Sequence, residues 1–384
     1  MKNLLTIIIA LHVALLTLQV SAQSCLPEGI TFTYQSQIDN FQANYPGCQE
    51  IEGDVIIDGN NITNLNGLNA ITSFQGNLCI RNNDSLANLS GLDNLISVGG
   101  NVLIAGNPVM SNLSALDNLT YIPGDLEIGA YYNQNFHGNP SLINLAGFDN
   151  LDSIGGSLHF FLNSSLQDLT ALGNLKKIDA NLRVGGIWYG GNNSLTRLTG
   201  MENLVSVGGG LHVVTNTSLE DLSGLDNLTS IGGDLYIYAN DSLLNLSGLS
   251  NLNAIGGSLN LGIYYYGPMG NASLIDITGL GNVLSIAGNL NILGNHVLST
   301  CEINSICTYL TAPNGSIQIY NNAPGCNSQE EVEEACGVTG IGQLDGWTVG
   351  HEGLGVYPNP ADGMVDCRWS MVDGRWSMDS LENI

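Results

Sequence analysis

A repeated unit of 24 residues runs through most of this 384-residue chain and constrains its fold more than any other feature. The segment GNLCIRNNDSLANLSGLDNLISVG from Gly76 matches GDLYIYANDSLLNLSGLSNLNAIG from Gly233 in length and in most apolar positions. Self-similarity at a fixed period is typical of solenoids, in which each unit buries its apolar side chains against its neighbours. The copies begin near Gly53, Gly76, Gly100, Gly124, Gly156, Ala180, Gly209, Gly233, Gly257 and Gly288, with a partial copy at Gly315.

The apolar spacing changes from two residues to three within each unit. Leu78 and Ile80 alternate with outward positions, which is the period of a short strand with one buried face. The apolar residues at 86, 89, 92, 95 and 98 then recur at every third position, which predicts turns and 3₁₀ segments around a central core. A single unit cannot offset its own conformational entropy, so only stacked coils are stable. The expected fold is all-β: a right-handed parallel β-solenoid of about eleven coils with one parallel sheet along it.

Asparagine occupies two further columns of the repeat. A buried amide at a turn can satisfy backbone groups that have no partner in a strand, so we interpret the columns as structural ladders. Many of these asparagines lie in N-glycosylation sequons, which we attribute to the repeat rather than to modification. The first column comprises Asn83, Asn107, Asn139, Asn163, Asn192, Asn216, Asn240, Asn271 and Asn295. The second comprises Asn94, Asn118, Asn150, Asn174, Asn203, Asn227, Asn251 and Asn282.

The N-terminal segment predicts export. Lys2, the apolar run at 4–20 and a small-residue site ending at Ala22 are typical of a secretory signal peptide, and no other stretch is long enough to span a membrane. A lipoprotein acylated at Cys25 is a weaker alternative because Gln23 stands where such sites favour a small residue. The 34 acidic and 8 basic residues give a net charge of −26, which argues against nucleic-acid binding and favours a soluble extracellular protein.

Eight cysteines in an exported chain predict disulfides. They concentrate at the ends of the repeat region, where a solenoid needs capping. We expect Cys25 to pair with Cys48. Three connectivities are open for the four cysteines near the C-terminal end of the repeats, which are Cys301, Cys307, Cys326 and Cys336.

The segment GLDNLTSIGGDLYIYANDSL resembles the receptor L domain, the right-handed β-solenoid of growth-factor and insulin receptor ectodomains, which is itself similar to leucine-rich repeats. The opening YQSQIDNFQANYPGCQEIEGDVII fits, with Ser36 as the expected N-cap of a capping helix that buries Ile38, Phe41 and Tyr45. The resemblance extends over roughly residues 25 to 337, with more coils than the receptors have. It implies an extracellular ligand-binding fold with disulfide-bonded caps.

A second resemblance lies in VYPNPADG at 356–363, which is similar to the start of a type IX secretion sorting domain of Gram-negative bacteria. The residues after it are too few for the small β-sandwich that such a domain forms, so we interpret it as truncated or degenerate. It implies delivery to the medium or to the outer cell surface. The expected organisation is a signal peptide (1–22), N-terminal cap (23–52), solenoid (53–300), Cys-rich C-terminal cap (301–337), linker (338–355) and truncated sorting domain (356–384).

The repeats contain no catalytic motif. Polysaccharide lyases and hydrolases built on β-solenoids cluster Asp with Lys or Arg on one sheet, and the solenoid offers few such bases. There is no serine-nucleophile motif, no His-x-x-x-His and no calcium-binding nonapeptide. We therefore predict a non-enzymatic protein without metal or cofactor, and a polysaccharide-active enzyme is the least favoured alternative. The available bases are Arg81, Lys176, Lys177, Arg183 and Arg197.

Three copies carry insertions directly after their strands. The copies from Gly124, Ala180 and Gly257 have steps of 32, 29 and 31 residues and contain GAYYNQNFHGNP, RVGGIWYGGNNS and GIYYYGPMGNAS. With coils stacked at about 4.8 Å, the insertions should lie roughly 10 and 14 Å apart along one edge, a span that suits several sugar rings or an extended peptide. Their aromatic residues are Tyr131, Tyr132, Phe136, Trp188, Tyr189, Tyr264, Tyr265 and Tyr266.

Between the two buried residues of each strand lies a residue that must point outward, and we expect this column to be a solvated sheet face. Together with the aromatic insertions it predicts a secreted monomer that binds an extracellular glycan or protein. Two alternatives stay open: the insertions pack on each other as a structural lid, or the chain is a surface scaffold without a discrete site. The middle of the column reads Glu127, His159, Arg183, His212 and Tyr236.

Overall fold

The computed structural model describes residues 23–132, 135–186, 190–264, 266–338, 369–372 and 375–378. The predicted signal peptide, nearly all of the predicted linker and most of the predicted sorting segment lie outside these residues. So do Trp188, Tyr189 and Tyr265, and the side chains of Tyr131, Tyr132 and Phe136. The described chain consists mostly of strands in long parallel sheets with few helices, which confirms the prediction of an all-β parallel architecture.

The repeats form a long parallel sheet to which each copy contributes one strand. The inward residues of neighbouring strands are in register, as for Leu211 and Leu235, so the apolar side chains of successive coils stack. The twelve strands, in their order across the sheet, are Ile30–Phe32, Val55–Ile57, Leu78–Arg81, Val102–Ala105, Leu126–Ile128, Leu158–Phe160, Leu182–Val184, Leu211–Val214, Leu235–Tyr238, Leu259–Leu261, Leu290–Leu293 and Ile317–Tyr320.

Two further parallel sheets make the prediction of a single sheet wrong. Each copy also has an extended two-residue segment near its end, Ser-Val or Ser-Ile in most copies, which pairs with its neighbours and buries its second residue. One sheet comprises Gln23–Cys25, Cys48–Ile51, Ser73–Phe74 and Ser97–Val98. The other comprises Tyr121–Ile122, Ser153–Ile154, Lys177–Ile178, Ser206–Val207, Ser230–Ile231, Ala254–Ile255 and Ser285–Ile286.

The remainder of each coil is irregular, as the three-residue period predicts. The residues of this period, such as Leu86, Leu89 and Leu92, are fully buried in one continuous core. Three short antiparallel hairpins complete the strands: Ala130–Tyr132 with Asn135–His137, Ile263–Tyr264 with Pro268–Met269, and Trp369–Val372 with Arg375–Met378. The 3₁₀ segments are Asn66–Leu68, Ser114–Leu116, Thr170–Leu172, Ser247–Leu249 and Thr278–Leu280.

The first asparagine column is a buried ladder. All nine side chains are inaccessible to solvent, and the column continues to Asn322. Asn216 shows the pattern: its backbone N–H donates to Oδ1 of Asn240 (3.0 Å), and its Nδ2 donates to the carbonyl oxygens of Val184 (3.0 Å) and Val214 (3.1 Å). Its own Oδ1 accepts from the backbone N–H of Asn192 (3.0 Å). Each amide therefore satisfies backbone groups of adjacent coils at a turn that lacks strand pairing.

The second column is a ladder at the surface, and a third was not predicted. Each exposed asparagine of the second column donates one hydrogen bond to a carbonyl of the preceding coil, as Asn227 does to Glu202 (2.8 Å). In the third, a side chain directly after the first residue of a copy accepts from the backbone N–H one coil later, as Asn77 does from Asn101 (2.7 Å). The acceptors of this third ladder are Asp54, Asn77, Asn101, Asp125, Ser157, Asn181, Asp234, Ser258 and Asn289.

The N-terminal cap contains two short helices, Gln35–Asp39 and Phe41–Asn44, which bury Ile38 and Phe41 as predicted. The predicted N-cap at Ser36 is wrong. The N-cap is Tyr34, and the carboxamide oxygen of Gln37 accepts from the backbone N–H groups of Thr33 (2.6 Å) and Tyr34 (3.0 Å), so the helix begins two residues earlier than the Ser36 signal indicates.

Disulfides close both caps, as the cysteine distribution predicts. Cys25 is bonded to Cys48, which leaves no thiol for the alternative of acylation at Cys25. At the other end, Cys301 pairs with Cys326 and Cys307 with Cys336. These bonds hold the helices Asn304–Thr311 and Gln329–Ala335 against the last coils.

The residue before each ladder asparagine adopts a left-handed backbone in uninterrupted copies. Asn82, Gly106, Gly294 and Asn321 are residue types that tolerate this region. Leu162 (φ 62°), Thr215 (φ 58°) and Ala239 (φ 55°) are not, and these three belong to copies next to the second or third insertion.

Replacing Ala239 by glycine is therefore expected to raise the free energy of unfolding by about 1 kcal/mol, because the left-handed backbone strain is released. Equilibrium urea unfolding measures the change. The matched control is Ala254→Gly in the strand Ala254–Ile255, which should lower stability by about 0.5–1 kcal/mol. A loss of stability in both variants would contradict the assignment of strain to Ala239.

Candidate functional site

The outward column of the long sheet forms a row of polar side chains on adjacent strands. Glu127 is in register with His159, His159 with Arg183, Arg183 with His212, and His212 with Tyr236. We call these five residues the outer row. All five are at most 9 % exposed, so the expectation of a solvated face is wrong for this part of the sheet.

The bases of the first and third insertions pack against the outward side of the sheet, and the third of them explains the burial of Tyr236 in part. Ala130, at the base of the first hairpin, packs in an apolar cluster with Cys79, Leu103 and other outward residues of earlier coils. Ile263, at the base of the hairpin in the third insertion, packs against Val214, Tyr236 and Tyr238. The bases of the first and third insertions thus bury outward side chains of their own scaffold.

Glycine determines where each insertion leaves its coil. Gly129, Gly185 and Gly262 directly follow their strands and have φ values of 90°, 92° and 107°, which side-chain-bearing residues rarely adopt. A Cβ at Gly129 would also overlap the carbonyl oxygen of Phe161 in the next coil. Neighbouring coils then hold the insertions, since the Thr215 hydroxyl donates to the carbonyl of Gly186 (2.7 Å).

The outer row is electrostatically unusual because it buries several basic groups together. Nδ1 of His159 lies 3.5 Å from a carboxylate oxygen of Glu127. Burial and then the charge of Arg183 lower the pKa of His159 to about 3, against a smaller opposing effect of Asp125. Burial, Arg183 and His159 also hold the pKa of His212 well below its usual range. Both imidazoles are therefore neutral in the folded protein at neutral pH.

The outward column changes character beyond Tyr236. Asn260, Asn291 and Gln318 continue it in register on the last three strands, and exposure increases from buried Asn260 to exposed Gln318. Tyr320 shares the outward side with Gln318, because side chains alternate along a strand. Asn291, Gln318 and Tyr320 are not among the site residues predicted from the sequence, although their position in the repeat was the available signal.

The hairpin of the third insertion, Ile263–Tyr264 with Pro268–Met269, presents aromatic side chains to solvent beside this end of the column. Tyr264 is 48 % exposed and Tyr266 is 92 % exposed, although Ile263 next to them is buried. The strand Ile263–Tyr264 packs beside Leu290–Leu293 of the long sheet. Of the predicted aromatic residues, Tyr264 and Tyr266 are thus the ones whose side chains the structure places at an accessible surface.

The described ranges show neither a metal centre nor a membrane span. No three His, Cys, Asp or Glu side chains within them are grouped so that they could hold a metal ion. No helix in the same ranges has the length and apolar composition that crossing a membrane requires.

Comparison with known proteins supports the family resemblance in part. Residues 47–145 match the receptor L domain family, so this part of the chain, which spans the first copies of the repeat, is receptor L domain-like. Among curated proteins, none matches the chain. The match and the three disulfides together indicate an extracellular domain.

Proposed function

We propose that this chain is a secreted, non-enzymatic binding protein that recognises an extracellular glycan or protein at the C-terminal end of its outward sheet face. Export through the signal peptide at 1–22, the organisation into caps, solenoid and linker, and delivery through the segment at 356–384 are parts of the same proposal. The receptor L domain-like sequence supports a ligand-binding role.

The exposed tyrosines on the hairpin of the third insertion are the observation that carries the proposal. Ile263 and Met269 pack against Tyr236 and Tyr238 on the outward side of the sheet, so the base of this hairpin is fixed. Tyr264 and Tyr266 are nevertheless exposed, although aromatic side chains are normally buried where the fold allows it. Rigidly based tyrosines give a large contact area at little entropic cost, which is how many binding surfaces use them.

A structural scaffold without a discrete site is the second candidate. The burial of Ala130 and Ile263 favours it, since the insertions then contribute to stability in their own right. The two candidates differ in what removal of the exposed aromatic rings does, because those rings contribute little to the packing of the sheet.

The double variant Tyr264→Ala/Tyr266→Ala is expected to weaken binding by at least tenfold, because tyrosine is enriched among the few interface residues whose truncation costs about 2 kcal/mol or more. The parent is first screened against immobilised extracellular glycans and matrix proteins, and the affinity of the variant for each hit is then measured. Its melting temperature should stay close to that of the parent.

The matched control is Tyr34→Ala/Tyr121→Ala, which removes tyrosines of similar exposure (61 % and 48 %) from other surfaces. It should bind as the parent does. Equal binding by both double variants, or no hit in the whole screen, would favour the scaffold.

A further inference from the structure

The uncovered end of the outward face combines stacked amides with tyrosines. We call Asn291, Gln318, Tyr264, Tyr266 and Tyr320 the amide–tyrosine patch. Asn291 and Gln318 lie on adjacent strands in register, about 4.8 Å apart. We infer that this patch binds a neutral oligosaccharide, an inference that rests on the proposed function and adds the chemical class of the ligand.

The amides supply the polar half of such a site. Nδ2 of Asn291 donates to Oδ1 of buried Asn260 (2.7 Å), which fixes the orientation of the Asn291 carboxamide. Within the described residues, Oδ1 of Asn291 and the whole Gln318 carboxamide make no hydrogen bond. A carboxamide offers both donors and an acceptor, and a sugar hydroxyl is likewise donor and acceptor. Two such groups on adjacent strands can therefore form hydrogen bonds with successive hydroxyls of one oligosaccharide.

The tyrosines supply the apolar half. Burial raises the pKa of Tyr320 on the last strand, and Tyr264 on the hairpin raises it further, so the two side chains lie close together. Tyr266 is the most exposed of the large hydrophobic side chains in the described part of the chain. Aromatic faces pack well on the C–H faces of pyranose rings, and their hydroxyls add hydrogen bonds at the rim. The patch spans two adjacent strands of the sheet and the hairpin beside them, which suits two or three sugar rings.

Charge and backbone pairing decide against other ligands. The patch contains no Lys, Arg, Asp or Glu, and the chain carries a net charge of −26, so a polyanionic glycan would be repelled. An extended peptide held by main-chain hydrogen bonds needs a free strand edge. The strand of Asn291 is paired on both sides, so the one unpaired edge at the patch is that of the last strand, Ile317–Tyr320, and the helix Gln329–Ala335 of the C-terminal cap packs beside this strand.

The test titrates the full chain with neutral hexasaccharides, namely cellohexaose, laminarihexaose, maltohexaose, xylohexaose and chitohexaose, by isothermal titration calorimetry. At least one should bind with a submillimolar Kd that changes less than twofold between 50 and 500 mM NaCl, because neutral ligands release no counterions. Tyr266→Ala and Gln318→Ala should each weaken that binding at least tenfold. Tyr121→Ala, the matched control on another sheet, should leave it unchanged.

The inference is overturned if none of the five hexasaccharides binds, if binding is unaffected by Tyr266→Ala and Gln318→Ala, or if heparin binds in their place with a steep salt dependence. If a matrix protein binds the parent but not the Tyr264→Ala/Tyr266→Ala variant, and no saccharide binds, the inferred ligand class is overturned while the proposed function stands. A melting temperature measured for every variant separates loss of the site from loss of the fold.

Discussion

Replacing Asn216 by leucine lowers the free energy of unfolding by about 3 kcal/mol or more, although leucine is the more apolar residue. The side chain of Asn216 is fully buried and binds three backbone groups in two successive coils. Leucine leaves the N–H of Asn192 and the carbonyl oxygens of Val184 and Val214 without this partner. Each buried polar group left unsatisfied costs about 1–3 kcal/mol, which exceeds what the added apolar atoms contribute.

Equilibrium urea unfolding followed by circular dichroism measures this loss. The matched control in the same coil is Asn227→Leu, which removes a single hydrogen bond at the surface and should cost less than about 1 kcal/mol. Asn216→Asp tests the chemistry at constant shape: it replaces the Nδ2 donor by an acceptor that faces two carbonyl oxygens, and it should destabilise at least as strongly as leucine. Similar stabilities for Asn216→Leu and Asn227→Leu would refute the buried ladder as a source of stability.

The repeat made the coil interior predictable because each copy repeats the same physical problem. Leu89 and Leu92 lie at positions that every copy fills with an apolar residue, and their burial follows from stacking alone. Asn216 was recognised as structural for the same reason, since a polar residue within an apolar period needs a buried partner. The third ladder went unnoticed because its positions alternate between Asp, Asn and Ser, which obscures a column that single residue types would reveal.

The candidate site was less predictable because alternation along a strand gives the direction of a side chain and not what covers it. His159 and Arg183 point away from the coil interior as predicted, and they are buried all the same. The cover over this face depends partly on hairpins whose packing involves residues from several coils, such as Ile263 against Val214. Non-local contacts of this kind leave no period in the sequence. The structure therefore shifts the candidate surface from the middle of the column to its C-terminal end.

The free energy of unfolding is expected to fall as the pH is lowered from 7 to 5, because the outer row buries neutral histidines. The folded-state pKa of His159 is about 3, whereas an unfolded histidine titrates near 6.5. Between these values the unfolded chain binds more protons than the folded chain, so acid favours unfolding and the stabilisation is complete only above pH 6.5. His159 alone should account for about 2 kcal/mol between pH 7 and pH 5, and His212 adds a loss of the same sign.

The charged groups around the two imidazoles explain why the folded protein does not accommodate their protonation. His159 faces Glu127 at 3.5 Å, with Arg183 on the next strand and Asp125 nearby. His212 lies between Arg183 and Tyr236, whose ring centroid is 4.9 Å from its own. The nearby carboxylates offset too little of the positive charge that two imidazolium groups would add beside a buried guanidinium. Acid should therefore destabilise the coils that carry the outer row more than the other coils.

The double variant His159→Gln/His212→Gln isolates the effect, because glutamine cannot take up a proton in this range. Its free energy of unfolding should depend less on pH between 7 and 5 than that of the parent, whatever its absolute stability at pH 7. His296→Gln is the matched control, since His296 is exposed, and it should reproduce the slope of the parent. If the double variant and the parent have the same slope, the histidines of the outer row are protonated in the folded protein and the proton balance described here is wrong.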